Sequence, residues 1–523
     1  MIGKLLERCL PNVAAVSAAS RIPVAAAILA LVVAACGDPE PELAQAPPAV
    51  APAVPTAIPS PTPLAAPTVV EHSAALRADN SLIVDVAVAV DRSSTVFVEY
   101  GNASAGRFTT RITDEQAKEH AIPIVRLRPL TSYDYTVFAT DEYGLVSTGA
   151  SGTFTTDPLP EALERLVLTV EGRPTSELIL FDLQDNPDSY YVAIDQDATV
   201  VWYYRNELTD PDQNTSIRSI VQKSNYNFVY WEGGPTGRRF NCCLKEITPL
   251  GELVDRLVNN EVDKFVHHDQ VILPDDKVLY IANEIIEIDD TANGGDPATR
   301  VLVESLREWD QSNHVTREIW NSLDHYSTDT RGNWRGDPVS WLHANSLQIG
   351  PRGNYIVSLR SLSQVISISP SGKSIEWKLG GPDSTYEFRD PGDRFYREHT
   401  ATELPNGNIL IFDNGQTRPE EEGGEYSRAL ELTLNTYELT AVKVWEYRPD
   451  PDVFAPSRSS AFRLDNGNTL INFETNDSDP PRLMVEVDPD GSEVWKMEIR
   501  SPSIRNSYRA YSYDSILGEK RIR

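Results

Sequence analysis

Leu404-Pro405-Asn406-Gly407-Asn408-Ile409-Leu410-Ile411-Phe412 is a tight turn that opens onto an apolar run. The same design recurs as Leu464-Asp465-Asn466-Gly467-Asn468-Thr469-Leu470-Ile471-Asn472 and as Leu273-Pro274-Asp275-Asp276-Lys277-Val278-Leu279-Tyr280-Ile281. Gly350-Pro351-Arg352-Gly353-Asn354-Tyr355-Ile356-Val357-Ser358 is a looser copy. Asn-Gly and Asp-Asp accept the positive φ of a tight turn, so each copy reads as a hairpin. A second hairpin follows and often closes on tryptophan, at Trp202, Trp320, Trp377, Trp445 and Trp495. Segments beginning near Glu177 and Ser224 fit as degenerate first and second copies. Units spaced by about fifty to seventy-five residues match the blades of a β-propeller, whose sheets bury their faces only against one another. Continuous helical periodicity is absent here. The expectation is an all-β chain with a six-bladed propeller over residues 161–523.

Upstream, residues 69–160 alternate apolar and polar side chains, as in Leu82-Ile83-Val84-Asp85-Val86 and Val96-Phe97-Val98-Glu99-Tyr100. Between Leu127 and Val137 every second side chain falls on one face, with Pro129, Thr131, Tyr133 and Tyr135 between them. This stretch resembles the tyrosine-corner strand of fibronectin type III domains, which implies an N-terminal β-sandwich in which the Tyr133 hydroxyl ties back to nearby backbone. No titratable groups gather there, so the domain reads as a spacer or support. Residues 36–68 form a linker; from 37 to 68 it holds ten prolines, eight alanines and no Lys or Arg. That composition favours extended polyproline II and reads as a stalk. Residues 1–35 combine Lys4, Arg8 and Arg21 with an apolar run from Ile22 to Ala35 that is short for a membrane span. Val33-Ala34-Ala35-Cys36 resembles a bacterial lipobox, which implies lipidation of Cys36 and an exported body tethered at the cell envelope.

The chain has 523 residues, 77 acidic against 47 basic, for a net charge of −30. Such acidity opposes broad nucleic-acid binding and adsorption to anionic lipid, so the membrane is reached only through the lipid. Nine tryptophans and 21 tyrosines supply ample core material. Four cysteines, two of them in the leader region, exclude a disulfide-dense framework.

Against this acidity, three of eight histidines fall at related repeat addresses. His268 lies five residues before Leu273, and His399 lies five before Leu404. His343 takes the same place if its turn carries two extra residues, and Ser459 holds the address before Leu464. Equivalent positions on successive blades are related by rotation about the propeller axis, so these side chains are expected to converge at one mouth of the channel. His343 and Asn345 are two apart and would share a face on one strand. Arg360, at the far end of the next strand, would point inward as a permanent cation. Imidazoles, an amide and a guanidinium together describe a site for a compact oxyanion.

These residues resemble the bacterial arylsulfate sulfotransferase family, which pairs a small β-sandwich with a six-bladed propeller. The resemblance rests on His267-His268-Asp269 with Leu273-Pro274, Trp341-Leu342-His343-Ala344-Asn345-Ser346, and Arg360-Ser361-Leu362-Ser363-Gln364-Val365. Its strongest part is His399-Thr400-Ala401 with Leu404 to Asn408, continuing through Phe412-Asp413-Asn414-Gly415. It implies that His399 is the nucleophile accepting a sulfuryl group from a phenolic sulfate ester. His268, His343, Asn345 and Arg360 would surround that group, with His267 alongside. A neutral imidazole is a competent nucleophile near neutral pH, and Arg360, Asn345 and imidazolium would stabilise developing charge. A second histidine would move the phenol proton. The implied kinetics are ping-pong with an acceptor phenol, without cofactor, metal or nucleotide donor; no phosphate-loop motif is present. A homodimer is the one protein partner the reading admits. The stretch Asp383 to Glu398 before the nucleophile is Cys-free and acidic, and carries Tyr386, Phe388, Phe395 and Tyr396.

Three alternatives remain at this level. Adjacent Cys242 and Cys243 could form a vicinal disulfide or stay buried thiols, and together with the Trp-ended repeats they resemble features of quinoprotein dehydrogenases. A three-histidine zinc site is a second alternative, and a non-catalytic binding propeller a third. The string Asp289 to Asp296 lacks the closing Glu of a calcium loop and reads as a surface turn.

Overall fold

The computed structural model describes residues 65–184, 188–206, 217–232, 243–257, 264–330, 336–475, 481–501 and 507–522. The leader, Cys36 and nearly all of the linker lie outside the described residues, as does Cys242.

The N-terminal strands are Val69–Arg77, Asn80–Asn102, Gly106–Thr109, Ala117–Ile124, Ser132–Asp141 and Ala150–Thr155. The 23-residue strand Asn80–Asn102 organises them. Its first half pairs with Val69–Arg77 and Ala117–Ile124, and its second half with Gly106–Thr109 and Ser132–Asp141. Val84, Val86 and Val88 from one half share a core with Val96, Val98 and Tyr100 from the other, and with Tyr133, Tyr135 and Val137. The period of two seen in the sequence thus reports one buried face. The Tyr133 hydroxyl accepts the Arg128 N–H at 2.7 Å, the local tie expected of that strand.

Beyond Glu164 the chain builds six sheets, each antiparallel through its four main strands, arranged as a six-bladed β-propeller; Val339–Ser340 and Glu387–Phe388 add short parallel strands to two of them. From the inner strand outward, blade 2 is Ile217–Gln222, Phe228–Glu232, Leu244–Ile247 and Leu253–Leu257. Blade 3 is Lys264–Ile272, Val278–Ile288, Thr299–Asp310 and Val315–Asn321. Blade 4 is Ala344–Ile349, Tyr355–Leu359, Gln364–Ile368 and Ile375–Gly380. Blade 5 is His399–Glu403, Ile409–Asp413, Arg428–Asn435 and Thr440–Tyr447, and blade 6 is Ser460–Arg463, Thr469–Phe473, Arg482–Val487 and Glu493–Arg500. All five tryptophans that close the sequence repeats fall on the fourth strand of their blades. The turns superpose in register as well. Lys223, Leu273, Gly350, Leu404 and Leu464 each donate their N–H to the carbonyl four residues on, in every case at 2.8 Å.

Blade 1 is assembled differently. Its outer strands Leu178–Gln184, Ser189–Asp195 and Val200–Asn206 come early in the chain, but its inner strand, Ala510–Tyr513, comes from the C-terminal end. Val167–Gly172 in turn adds a fifth strand to the outside of blade 6. The ring is therefore closed at two places by strands from opposite ends of the domain. The sequence repeat does not register this closure, because no local turn joins the closing strand to its partner. A further departure follows from the same tail: Lys520–Ile522 pairs with Gly106–Thr109, so the last residues of 161–523 belong to the N-terminal sheet. Among the described residues no helix is long and apolar enough to cross a membrane.

Candidate functional site

The five equivalent turns fix a common address five residues upstream, on the inner strand of each blade. Arg218, His268, Asn345, His399 and Ser459 occupy it in blades 2 to 6. The turn of blade 4 carries no extra residues, so Asn345 holds the position expected for His343, and His343 lies two residues earlier. The inner strands of blades 2 to 5 lose register at or beside this address. Positive φ accompanies the break: 45° at Ser219, 55° at His268, 57° at His343 and 45° at Thr400. A bulge re-aims a side chain that regular alternation would send elsewhere. This is also why His343 and Asn345 do not share a face. His343 precedes its strand in a left-handed conformation, while Asn345 turns its Nδ2 to the Glu398 carbonyl at 2.8 Å.

Rings from blade 3 and the entry to blade 4 consequently pack together. His268 lies 4.9 Å from His343 and 3.7 Å from His267, centroid to centroid. The Nδ1 atoms of His267 and His268 are 2.8 Å apart, so one ring donates to the other. Tyr508, two residues before the closing strand, stands 6.1 Å from His268 and 6.4 Å from His399 and so faces both. Arg360 begins a short 3-10 turn, Arg360–Leu362, and its N–H donates to the His343 carbonyl at 3.1 Å. Its guanidinium donates to Gln416 Oε1 at 2.5 Å and to the Pro456 carbonyl at 3.5 Å, both neutral acceptors.

His399 is held in one tautomer by its neighbours. Asn414 Nδ2 donates to the carbonyls of Ala455 and Arg458, which turns its Oδ1 toward the ring at 2.6 Å from Nδ1. Nδ1 must therefore carry the proton, leaving a lone pair on Nε2, which accepts the Arg458 N–H at 3.2 Å. Burial holds His399 well below its usual pKa, helped by the charge of Arg360. Burial likewise lowers His268 and His343 well below 6.5, and brings His267 down to about 3. The buried carboxyls of Asp182, Glu304 and Glu398 are pushed up to about 7, again chiefly by burial. Neutral imidazoles beside guanidinium groups thus replace the imidazolium expected from sequence. Guanidinium groups gather around these rings inside a chain that is acidic as a whole.

Several residues here were not among the sequence candidates. Asp269 is fully buried and joins four blades: it accepts from Ser219 Oγ at 2.6 Å, from the Leu347 N–H at 2.7 Å, and pairs with Arg509 at 2.8 Å. Arg509 and Tyr508 both donate to the Asn345 carbonyl at 3.1 Å. Arg218 could have been found, since it stands at the shared address before a degenerate turn. Tyr508 and Arg509 had no such signal, because the closing strand lies outside the repeat.

The loop before His399 is secured without cysteine. Tyr386 and Phe395 are buried in a core cluster with Trp377 and Leu379, and the Tyr396 hydroxyl donates to Glu422 at 2.7 Å. Tyr386, Phe388, Phe395 and Tyr396 also line a cavity of about 760 Å³, whose walls include none of the four site histidines. We place the candidate chemistry at the histidines, where the polar groups converge, and not in that cavity. Cys243 is disulfide-bonded. Asp289 accepts from Thr291 in a surface turn. Among the described residues no group of three His, Cys, Asp or Glu has the geometry to hold a metal ion.

Residues 160–511 match the family model described as arylsulfotransferase (ASST). The chain belongs to the arylsulfotransferase family. The reaction class is accordingly transfer of a sulfuryl group, and the family's substrates are a phenolic sulfate donor and a phenol acceptor. A comparison with curated proteins returns no match. Among solved structures the arylsulfotransferase is similar to a protein of unknown function from Bacteroides caccae, at 16% identity and a TM-score of 0.41, covering 64% of this chain and 98% of that one. A catalytically inactive virginiamycin B lyase from Staphylococcus aureus gives 10% identity and 0.34, covering 64% and 88%. Apo AztD from Citrobacter koseri gives 10% and 0.32, covering 80% and 98%.

Proposed function

We propose that this arylsulfotransferase moves the sulfuryl group in two steps through a sulfohistidine at His399, without a nucleotide donor. The observation that carries the reading is the fixed Nδ1–H tautomer, which leaves Nε2 as a nucleophile beside Arg360. In the first step Nε2 gives up the hydrogen bond it accepts from the Arg458 N–H and attacks sulfur, the sulfur–oxygen bond to the aryl group breaks, and the electron pair leaves on the phenolate. The ring becomes cationic, and its Nδ1–H continues to donate to Asn414 Oδ1. Arg360 holds the sulfuryl oxygens as charge shifts onto them and onto the phenolate. In the second step a neutral histidine of the cluster, His268 or His343, takes the proton of the acceptor phenol. The phenolate attacks sulfur, the sulfur–nitrogen bond breaks, and its electrons return to Nε2. The departing phenolate takes its proton from solvent, and the histidine protonated in the second step returns one to solvent, so the cycle balances.

The test is direct. Incubation with 4-nitrophenyl sulfate and no acceptor is expected to leave one sulfuryl group on His399, found by peptide mass spectrometry at alkaline pH. Adding phenol should discharge it, and initial-rate plots for donor and acceptor should run parallel. Turnover with no adduct on His399, together with intersecting plots, would replace this reading with direct transfer between bound phenols.

We propose also that the enzyme is exported and held at the bacterial cell envelope by lipid on Cys36, through the linker that follows. The Val33-Ala34-Ala35-Cys36 sequence supports this reading. A Cys36→Ser chain is expected to move from the membrane fraction to the soluble fraction of the exporting cell; a chain that stays with the membrane would count against the anchor.

A further inference from the structure

The mechanism uses one guanidinium, Arg360. A second one, Arg218, faces the same cluster from blade 2. It sits at the address that His268 and His399 hold on blades 3 and 5, so the symmetry of the propeller turns it toward the same mouth. Its Cζ lies 5.4 Å from the Trp231 ring centroid and 5.6 Å from that of Tyr508. Trp231 in turn is stacked on His268, with centroids 6.2 Å apart and planes at 8°. Arg218 depresses the pKa of both His267 and His268, whereas Arg360 acts on His343 and His399. The two cations thus act on different members of the imidazole cluster.

Arg218 has no acidic partner and no hydrogen bond among the described residues, and its Nε is buried without an acceptor. The carboxyl nearest in charge is Asp182, but its Oδ1 accepts the N–H groups of Tyr508 and Arg509, and its Oδ2 meets no donor. Burial, then the charge of Arg458, pulls the guanidinium down to about 10. A half-buried guanidinium beside two aromatic faces, with its Nε out of water and no carboxylate on its fork, is a carboxylate or sulfate receptor awaiting its anion.

We propose that Arg218 forms an anionic subsite that selects aromatic substrates bearing a second acidic group besides the transferring sulfate. The proposal rests on the function argued above, in which the sulfuryl group lies at His399 and Arg360. A ring reaching from there toward Trp231 and Tyr508 carries its far substituent to Arg218. An uncharged substituent leaves this cation unpaired, while a carboxylate gives it the bidentate partner that its geometry fits. Preference for acidic phenols then arises within a protein whose net charge of −30 repels them at long range.

The experiment compares 3- and 4-sulfooxybenzoate with their methyl esters, which differ mainly in charge. The wild-type enzyme is expected to favour one or both acids over the matching ester in kcat/KM by about tenfold or more, the usual worth of a charge-assisted hydrogen bond. In Arg218→Met that ratio should fall to unity or below, and Arg218→Lys should recover part of it. Phenylene disulfate in place of the acid separates a sulfate-selective subsite from a carboxylate-selective one. A wild-type preference for the esters, or an acid-to-ester ratio that Arg218→Met leaves unchanged, would overturn the proposal. Calorimetric binding of 3- and 4-hydroxybenzoate and their methyl esters to wild type and Arg218→Met tests the subsite without turnover. If no sulfate ester is turned over but the hydroxybenzoate binds through Arg218, the sulfuryl-transfer reading fails and the subsite stands. If adducts form on His399 with no discrimination by charge, the subsite fails alone.

Discussion

His399→Ala is expected to lower kcat for sulfuryl transfer from 4-nitrophenyl sulfate to phenol by about 10⁶-fold, the loss seen when a covalent nucleophile is removed. The position is buried and its ring bonds only to Asn414 and the Arg458 N–H, so circular dichroism should show the propeller intact. Asn414→Leu tests the tautomer separately. It leaves the imidazole in place but frees Nδ1 from its acceptor, and loss of a tautomer-fixing group lowers turnover by about 10²- to 10⁴-fold. The pH profile of the first half-reaction carries its own sign. The nucleophile acts as the neutral ring, and burial beside Arg360 lowers its pKa well below 6.5. Adduct formation should therefore persist as pH falls through 6.5, and fail only well below it. An acidic limb centred near 6.5 would mean that the ring is solvated, and that the packing described around it does not persist in solution. Release of 4-nitrophenol under single-turnover conditions measures all three effects.

His268 and His399 are legible because repetition supplies the third dimension. Both sit a fixed distance before a turn that chemistry makes recognisable, and rotation about the axis does the rest. The same logic applied to Lys223 exposes Arg218, but Lys223-Ser224-Asn225-Tyr226-Asn227 lacks the Pro, Asn-Gly or Asp-Asp signals of the other copies. His343 shows the opposite failure. Its motif is visible in the sequence, yet its register differs by two residues from the expected one, because the turn at Gly350 carries no extra residues and His343, with φ of 57°, enters the cluster from just before its strand. Asn345 departs from its expected role for the same reason: its amide braces Glu398, the residue before the nucleophile. Tyr508 and Arg509 are out of reach of periodicity altogether. Pairing across more than 300 residues, such as Ala510 with Phe181, has no local turn to announce it.

That long-range closure also concentrates stability at one ion pair. Arg509 and Asp269 are each 1% exposed and 2.8 Å apart, and they join the closing strand of blade 1 to blades 2, 3 and 4. Burial works against the Arg509 charge, yet Asp269 and the neighbouring tyrosines hold its pKa above the usual value. Arg509→Leu leaves the carboxylate with only neutral donors: Ser219 Oγ and the N–H groups of Gln270 and Leu347. Breaking a buried pair from one side typically costs about 3–5 kcal/mol, a large share of the roughly 5–15 kcal/mol that stabilises a folded domain. The urea midpoint, followed by tryptophan fluorescence, is expected to fall accordingly. Asp269→Asn with Arg509→Leu should destabilise less than the sum of the two single changes, since neither then leaves an unpaired charge behind. Turnover should report the same contact by a second route. Arg509 and Tyr508 hold the Asn345 carbonyl, and Asn345 holds Glu398 beside His399, so loosening the closing strand loosens the nucleophile. Arg509→Leu assayed well below its unfolding midpoint should then lose kcat more than KM. A variant that loses stability but keeps kcat would confine Arg509 to closing the ring and leave the alignment of His399 to Asn414 alone.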